Sequence, residues 1–281
     1  MLTVVTAVYG LSHVPFIGAL LESLARCRTP RVILVHGGLS SALVKQITAP
    51  YPMVEPMELP PDVADAVTSA DRSRRVALKT SAWLYALEHV CASTLAWRPL
   101  HLVFLDADTL VCPTPEGDSP LGIIFTREDF HVAYTTRPGR WPINSGVLFL
   151  RERAVALPWF RTWATTTDWL LADGGRAEIA SGHHGSADQA ALVMSLALHR
   201  EIRTLALAGS TWNQTVCADP ASAHVFHYKG CLPLLLWQRE YGKAFGDERT
   251  PHECEPVFDL WRDHYRAFRY RAFRTESQGD S

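Results

Sequence analysis

This sequence has no surplus of basic residues and no long apolar run. Its 27 Lys+Arg residues face 29 Asp+Glu, so the formal net charge is −2 and no large basic surface is left for nucleic acid. No apolar run reaches the roughly 18 residues of a membrane-spanning helix, because His13 and Pro15 interrupt the N-terminal region and Glu22 and Arg26 follow. We therefore expect neither a nucleic-acid-binding nor a membrane-spanning protein.

Closely spaced cysteine pairs are also missing. The six cysteines form no C-x-x-C motif, which argues against a zinc or redox site. They are Cys27, Cys91, Cys112, Cys217, Cys231 and Cys254. The first residues lack the basic segment and small-residue cleavage site of a secretory signal, so we expect free thiols in a cytoplasmic protein.

The residues that are present predict one large unit of the α/β class. With 47% hydrophobic and 20% charged residues among 281, the chain can bury one sizeable core. Strand and helix patterns alternate along the first half, which is typical of a mostly parallel, Rossmann-like sheet flanked by helices. Strands are expected at 2–8, 31–36, 53–59, 101–105, 131–135, 146–150, 202–207 and 223–227. Helices are expected from 12 onward and at 39–47, 76–90, 158–171 and 187–198.

An acidic pair directly follows one of these strands. The apolar run His101–Leu105 leads into Asp106, Ala107 and Asp108. Ligands of a parallel α/β sheet bind beyond the carboxyl ends of its strands, and two carboxylates at this spacing can approach one hard cation. A lone D-x-D is nevertheless common, and it often only caps a turn.

Four further segments have ordinary explanations when each is taken alone. Lys79 and Trp83 share a helix face, and Asn144-Ser145-Gly146 begins an apolar strand. Asp188 and Gln189 follow Ser186 at a helix start, where capping and the helix dipole favour such residues. His227 and Gly230 end a late strand.

In this order and spacing, the five segments resemble the glycogenin-like and lipooligosaccharide-galactosyltransferase-like retaining glycosyltransferases of the GT-A fold. The resemblance extends from about residue 4 to residue 230. It implies that Asp106, Asp108 and His227 bind Mn²⁺, or Mg²⁺ in its place, a donor set that suits a hard cation. The diphosphate of a nucleotide sugar would complete the coordination.

The resemblance also implies roles for other residues. The donor-binding positions would be Thr6, Ala7, Val8, Tyr9, Lys79, Asp106, Ala107, Lys229 and Gly230. The catalytic positions would be Asn144, Asp188 and Gln189, which face the sugar or the acceptor. One position departs from the family, because Pro233 stands where a phosphate-contacting lysine is expected. Lys229, or alternatively Lys243 or Arg239, would then supply that charge.

The activity implied is transfer of a hexose, with retention, from UDP-glucose or UDP-galactose to a saccharide, lipid-linked or protein acceptor. Two alternatives stay open. A sugar nucleotidyltransferase would carry an arginine in a glycine-rich loop after the first strand, and residues 6–12 contain no arginine. A non-catalytic nucleotide-sugar-binding module is opposed by the complete metal-ligand set and favoured by the missing lysine.

The C-terminal region forms a separate part of the expected organisation. We expect a catalytic domain at 1–255, with a nucleotide-binding half at 1–110 and an acceptor-binding half at 111–255, a basic amphipathic helix at 256–275 and a disordered tail at 276–281. The apolar stripe of this helix comprises Leu260, Trp261, Tyr265, Phe268 and Ala272. Its arginines are Arg262, Arg266, Arg269, Arg271 and Arg274. The helix either packs on the catalytic domain or contacts anionic lipid at the inner face of the membrane.

Overall fold

The structure of the protein is a computed structural model. It describes residues 1–69, 72–93, 99–127, 129–137, 142–172, 187–214, 222–228 and 255–273. The strands are β1 (Leu2–Tyr9), β2 (Val32–Gly37), β3 (Val54–Glu58), β4 (His101–Leu105), β5 (Thr109–Val111), β6 (Val132–Thr136), β7 (Ile143–Leu150), β8 (Thr204–Leu207) and β9 (Val225–His227). The helices are α1 (Val14–Arg26), α2 (Ser41–Thr48), α3 (Pro61–Ser69), α4 (Arg72–Ser93), α5 (Ile123–Arg127), α6 (Arg153–Leu171), α7 (Ala187–Leu198), α8 (Gly209–Trp212) and α9 (Glu255–Phe273).

Seven strands form the central sheet in the order β3-β2-β1-β4-β7-β6-β8. Strands β1, β2, β3 and β4 are parallel, as are β6 and β8, whereas β7 runs antiparallel to both β4 and β6. The mostly parallel α/β sheet predicted from the sequence is therefore confirmed. The antiparallel strand was not predicted, and its cause is the short link between β6 and β7, which is too short for a parallel crossover.

Helices cover both faces of the sheet. Side chains alternate along β1, so Val5 packs with α4, α6 and α7 on one face and Val4 packs with α1, α2 and α9 on the other. Both faces of the central strands are consequently buried, which explains why these strands appear in the sequence as continuous apolar runs. The sheet edge at the carboxyl ends of β1 and β4 carries the polar residues described below.

Several element boundaries differ from the prediction. Helix α6 begins at Arg153, because Glu152 accepts the first helical hydrogen bond from the amide of Ala156, and Pro158 lies inside the helix instead of at its start. The short elements α3, β5, α5 and α8 were not predicted. Strand β5 pairs with β9 in a two-stranded antiparallel ladder apart from the main sheet.

The apolar stripe of α9 packs against α1. Trp261 and Phe268 are buried, and a Cβ atom at Gly18 of α1 would lie 2.3 Å from Cδ1 of Phe268, so only glycine allows this approach. The structure thus shows the packed helix, the first of the two interpretations. Among the described residues, no helix has the length and apolar character needed to cross a bilayer.

A buried carboxylate reinforces this contact. Glu22 of α1 accepts hydrogen bonds from the Tyr51 hydroxyl at 3.0 Å and from Arg26 Nε at 3.1 Å. Arg271 Nε of α9 lies 3.1 Å from the same carboxylate. Since Glu22 is almost fully buried, these partners offset its desolvation and fix the end of α9 to the body of the protein.

Three cysteines lie within the described residues, and all are free thiols: Cys27, Cys91 and Cys112. Burial raises the pKa of the Cys27 and Cys112 thiols to about 12, so both are protonated at neutral pH. They therefore behave as small apolar side chains. The other three cysteines and the predicted tail at 276–281 lie outside the described residues.

We predict that Phe268→Ala lowers the free energy of unfolding by about 3–5 kcal/mol, because it removes a fully buried ring and leaves a cavity over Gly18. Tyr270→Ala is the matched control on the same helix, since 61% of Tyr270 is exposed, and we expect a change within about 0.5 kcal/mol. Urea unfolding followed by circular dichroism measures both. Equal losses in the two variants would contradict the packing of α9 on α1.

Candidate functional site

The acidic pair lies in a tight turn at the carboxyl end of β4. The backbone carbonyl of Asp106 accepts hydrogen bonds from the Thr109 amide at 3.2 Å and from Thr109 Oγ1 at 2.7 Å. This turn leads from β4 into β5, and it keeps carboxylate oxygens of Asp106 and Asp108 within 4.8 Å of each other. Strand β4 is central in the sheet, so the acids lie where the sequence predicts a ligand site.

Pairing of β5 with β9 brings His227 to this turn. In the antiparallel register Thr109 is opposite His227, and the amide of Tyr228 donates to the carbonyl of Asp108 at 2.9 Å. The imidazole Nε2 atom then lies 3.1 Å from Asp108 Oδ1 and 3.4 Å from Asp106 Oδ2. The structure therefore unites the three residues that the resemblance assigns to metal binding.

The chemistry of these three residues fits a divalent cation. One ligand atom from each of Asp106, Asp108 and His227 lies within 4.8 Å of the other two. The Nε2 atom of His227 is buried and makes no hydrogen bond. Two carboxylate oxygens and one imidazole nitrogen suit Mn²⁺ or Mg²⁺ better than they suit a thiolate-preferring metal.

Position 146 of β7 must be a glycine, because the side chains of His227 and Asp106 lie against its Cα atom. A Cβ atom there would lie 2.5 Å from Cε1 of His227 and 2.8 Å from Oδ2 of Asp106. Its carbonyl also accepts a hydrogen bond from the Asp106 amide at 2.9 Å. The glycine of the Asn-Ser-Gly segment thus forms the wall against which both ligands are packed, a role that the sequence pattern alone does not indicate.

Lys79 of α4 joins the acidic turn to Asp188. Its Nζ atom donates to Asp106 Oδ1 at 2.8 Å and lies 3.3 Å from Asp188 Oδ2. It also lies 5.0 Å from the centroid of the Trp83 ring, as the shared helix face predicts. Burial lowers the pKa of Lys79, but the two carboxylates outweigh burial and raise it overall, so the ammonium is charged at neutral pH.

Besides Lys79 of α4, side chains from two further elements hold Asp188 in the first turn of α7. Ser145 Oγ of β7 donates a hydrogen bond to Asp188 Oδ2, and Trp163 Nε1 of α6 donates to the Asp188 backbone carbonyl at 2.7 Å. The Oδ1 atom of Asp188 and the Oε1 atom of Gln189 are buried without hydrogen-bond partners. These two oxygens can accept hydrogen bonds from hydroxyl groups of a ligand.

Asn144 has a clear role in the fold of the site. It is buried in β7, and its side-chain oxygen accepts a hydrogen bond from the Gly146 amide at 2.9 Å. This bond fixes the conformation of the segment that contacts Asp106 and His227. The sequence predicted the strand only from Gly146, whereas β7 already begins at Ile143.

The four residues expected in the donor pocket form the end of β1, which pairs with β4. Thr6, Ala7, Val8 and Tyr9 are all buried, and Val8 belongs to the hydrophobic core. The hydroxyl groups of Thr6 and Tyr9 are buried without hydrogen-bond partners. Burial and the negative charge of Asp106 both raise the pKa of Tyr9, so its phenol remains a hydrogen-bond donor.

The phosphate-contacting residues expected from the sequence cannot be placed in this geometry. Lys229, Gly230 and Pro233 lie outside the described residues. Ala107, between the two acids, is partly buried against the core.

Comparison with known proteins identifies the fold. No family model and no curated protein matches the sequence. Among solved structures, the chain is similar to the glycosyltransferase GlyE of Streptococcus pneumoniae TIGR4, with a TM-score of 0.59, 15% identity and coverage of 100% of this chain and 66% of that one, just under two thirds. It is similar to the galactosyltransferase LgtC in complex with donor and acceptor sugar analogs, with a TM-score of 0.57, 15% identity and coverage of 93% and 96%.

A third similar structure is the bifunctional glycosyltransferase WbbM, with a TM-score of 0.55, 14% identity and coverage of 99% of this chain and 52% of that one. At these identities the likeness establishes a shared fold. The GT-A fold expected from the sequence is thereby confirmed.

We predict that Lys79→Met lowers the free energy of unfolding by about 3–5 kcal/mol, because it leaves two carboxylates of the site without their buried counterion. Lys45→Met is the matched control, since Lys45 is exposed on α2, and it should change stability by at most about 0.5 kcal/mol. Chemical unfolding of both variants without added metal provides the measurement. A Lys79→Met variant as stable as the Lys45→Met variant would contradict the ion-pair geometry.

Proposed function

We propose that the protein is a metal-dependent glycosyltransferase that moves a hexose from a nucleotide sugar to an acceptor. The observation that carries this proposal is the convergence of Asp106, Asp108 and the unpaired Nε2 atom of His227 at the carboxyl end of β4. The shared fold with solved glycosyltransferases supports it. The donor is UDP-glucose or UDP-galactose, and the acceptor is a saccharide, free or linked to lipid or protein.

In this reaction the bond between the sugar C1 atom and the β-phosphate oxygen breaks, and UDP leaves with the electron pair. The acceptor oxygen forms the new bond to C1, and its proton passes to the departing diphosphate oxygen. A divalent cation held by Asp106, Asp108 and His227 would stabilise the negative charge that develops on the diphosphate. Lys79 orients Asp106 for this binding and adds a fixed positive charge close to the site.

The remaining residues position the sugar and the acceptor. Asp188 Oδ1 and Gln189 Oε1, the two unpaired oxygens, accept hydrogen bonds from hydroxyl groups. Asn144 of β7 faces the sugar or the acceptor, as the resemblance implies, and its side-chain oxygen holds the Gly146 amide. Transfer proceeds with retention, as the resemblance implies, and Asp188 either forms a glycosyl intermediate or orients the acceptor.

The donor occupies the end of β1. Of the four expected residues, Thr6, Ala7 and Tyr9 line the nucleoside pocket, whereas the side chain of Val8 lies in the hydrophobic core and supports them. The hydroxyl groups of Thr6 and Tyr9, which have no hydrogen-bond partner, are available to the nucleoside. The resemblance to the retaining glycosyltransferases implies that Ala107, Lys229 and Gly230 contact the diphosphate. If the catalytic domain is divided into a nucleotide-binding half at 1–110 and an acceptor-binding half at 111–255, Asp106 and Asp108 belong to the first half and His227 to the second.

A second candidate function is a nucleotide-sugar-binding module without catalysis. The observation in its favour is Pro233, which replaces the lysine expected in the resembled family. Turnover of UDP-sugar in the presence of Mn²⁺ and its loss with EDTA would distinguish the enzyme from the module.

We further propose that this cytoplasmic enzyme contacts the inner face of the membrane through the exposed side of α9. With the apolar stripe packed in the core, the exposed side chains of α9 that can face a membrane include Arg266, Arg269, Tyr270 and Phe273. Arg271 is also exposed, but it pairs with Glu22. Several arginines near an anionic surface give attraction of about 1 kcal/mol each.

For the metal site, we predict that UDP binding requires a divalent cation and that Asp108→Ala removes this requirement together with turnover. Isothermal titration with UDP, in Mn²⁺ and in EDTA, measures the dependence. Asp118→Ala is the matched control, because the Asp118 carboxylate is exposed and lies 3.9 Å from Arg28 Nη1, its ion-pair partner. Undiminished UDP binding by the unmodified protein in EDTA would refute the metal assignment.

For the membrane contact, we predict co-sedimentation with vesicles containing anionic lipid at low salt and release at high salt. The double variant Arg266→Glu, Arg269→Glu should lose this binding while it keeps its thermal stability, because both side chains are exposed. A truncation is a poorer test, since it would uncover the core face of α9. Unmodified protein that stays in the supernatant at low salt would rule out the contact.

A further inference from the structure

The two ring nitrogens of His227 have different surroundings. Nε2 faces the carboxylates of Asp106 and Asp108. Nδ1 lies 2.9 Å from the side-chain oxygen of Asn213, a residue that the sequence analysis did not single out. A histidine can bind a cation through Nε2 only if that atom carries no proton, so the ring proton must reside on Nδ1.

A chain of hydrogen bonds determines the orientation of the Asn213 amide. It begins at the backbone carbonyl of Asn144, which can only accept. Thr135 Oγ1 donates its proton to that carbonyl at 3.3 Å and therefore presents a lone pair to its other neighbour. Asn213 Nδ2 donates to this lone pair at 2.7 Å. The amide nitrogen is thereby committed to Thr135, and the amide oxygen must face His227.

We infer that Asn213 is a positioning residue that fixes the tautomer and the orientation of His227, and that Thr135 in turn fixes the amide of Asn213. The Asn213 oxygen accepts the Nδ1 proton, so the lone pair of Nε2 faces Asp106 and Asp108. No ring proton then lies between these acceptors, which is the arrangement that a cation stabilises. This inference rests on the proposed function only for its assumption that a divalent cation binds there.

The backbone around these residues is fixed independently of the side chains. Asn213 directly follows α8, and its amide donates to the Gly209 carbonyl at 3.0 Å. Gln214 then makes two backbone hydrogen bonds to β9. Its amide donates to the Val225 carbonyl, and its carbonyl accepts from the His227 amide, both at 3.0 Å. On the other side, a shift in the β6–β7 register after Tyr134 places Thr135 opposite Asn144. Both ends of the chain of hydrogen bonds are therefore anchored in strands.

The direct test is the tautomer of His227 in the metal-free protein. Two-bond ¹H–¹⁵N correlation spectra of ¹⁵N-labelled protein, in a buffer alkaline enough to keep ordinary imidazoles neutral, distinguish the two nitrogens. The His227 signals are assigned by comparison with the His227→Gln variant. We expect the proton on Nδ1. A proton on Nε2, or on both nitrogens, would overturn the inference, because the ring would then be paired with the carboxylates as a donor.

The second test measures the affinity of the protein for Mn²⁺, once with the metal alone and once with UDP present. The free ion is quantified by electron paramagnetic resonance. Asn213→Leu removes the acceptor at similar size and should weaken Mn²⁺ binding about 10- to 100-fold. Asn213→Asp keeps an acceptor toward Nδ1 and should restore most of the affinity, because the Thr135 hydroxyl can donate to it. Equal losses of Mn²⁺ affinity in Asn213→Leu and Asn213→Asp would indicate a role in packing alone and contradict the inference.

A matched pair of threonine variants tests the same inference with Asn213 left in place, so misfolding of the Asn213 variants would not affect it. Thr135→Val removes the lone pair that orients the amide, and we expect a several-fold loss of Mn²⁺ affinity. Thr136→Val removes the neighbouring hydroxyl, which donates to the Leu207 carbonyl at 3.1 Å and takes no part in the hydrogen bonds that link Asn144 to His227. This variant should leave the Mn²⁺ affinity unchanged. Equal effects would refute the role of Thr135. If the unmodified protein binds no Mn²⁺ even with UDP, the proposed function fails, whereas the tautomer measurement still decides the role of Asn213.

Discussion

The buried ammonium group of Lys79 is the interaction on which the centre of the protein depends. It lies between Asp106 at the end of β4 and Asp188 at the start of α7, so it joins three elements that are distant in the sequence. Without it, two carboxylates would face each other in a medium of low dielectric constant. With Asp108, the site holds three carboxylates and one ammonium, a net charge of −2 that matches a divalent cation.

The order of the helices and strands was predictable wherever the local pattern is strong. Strand β4 has the bounds expected from its continuous apolar run, and α7 has those expected from its polar start. The direction of β7 was not predictable, because alternation of strands and helices along a chain does not encode strand orientation. Strand β5 has only three residues and is formed through its pairing with β9, so no local pattern reveals it.

For the site, the sequence predicted residue types better than their partners. Asp106, Asp108 and His227 were found by the order and spacing of motifs, and the structure brings them together. The partners Ser145 and Asn213 were not found, since each acts on a residue brought close only by tertiary packing. A buried serine or asparagine has no periodic signal that distinguishes it from a turn residue.

The pairing of β5 with β9 has a consequence for biosynthesis. Chains are made from the N-terminus, so the two aspartates leave the ribosome long before His227 does. A nascent chain that ends before β9 can form much of the sheet but offers a cation only carboxylates. The imidazole arrives when β9 adds to β5, and the order of translation therefore delays assembly of the complete ligand set until most of the protein has been synthesised.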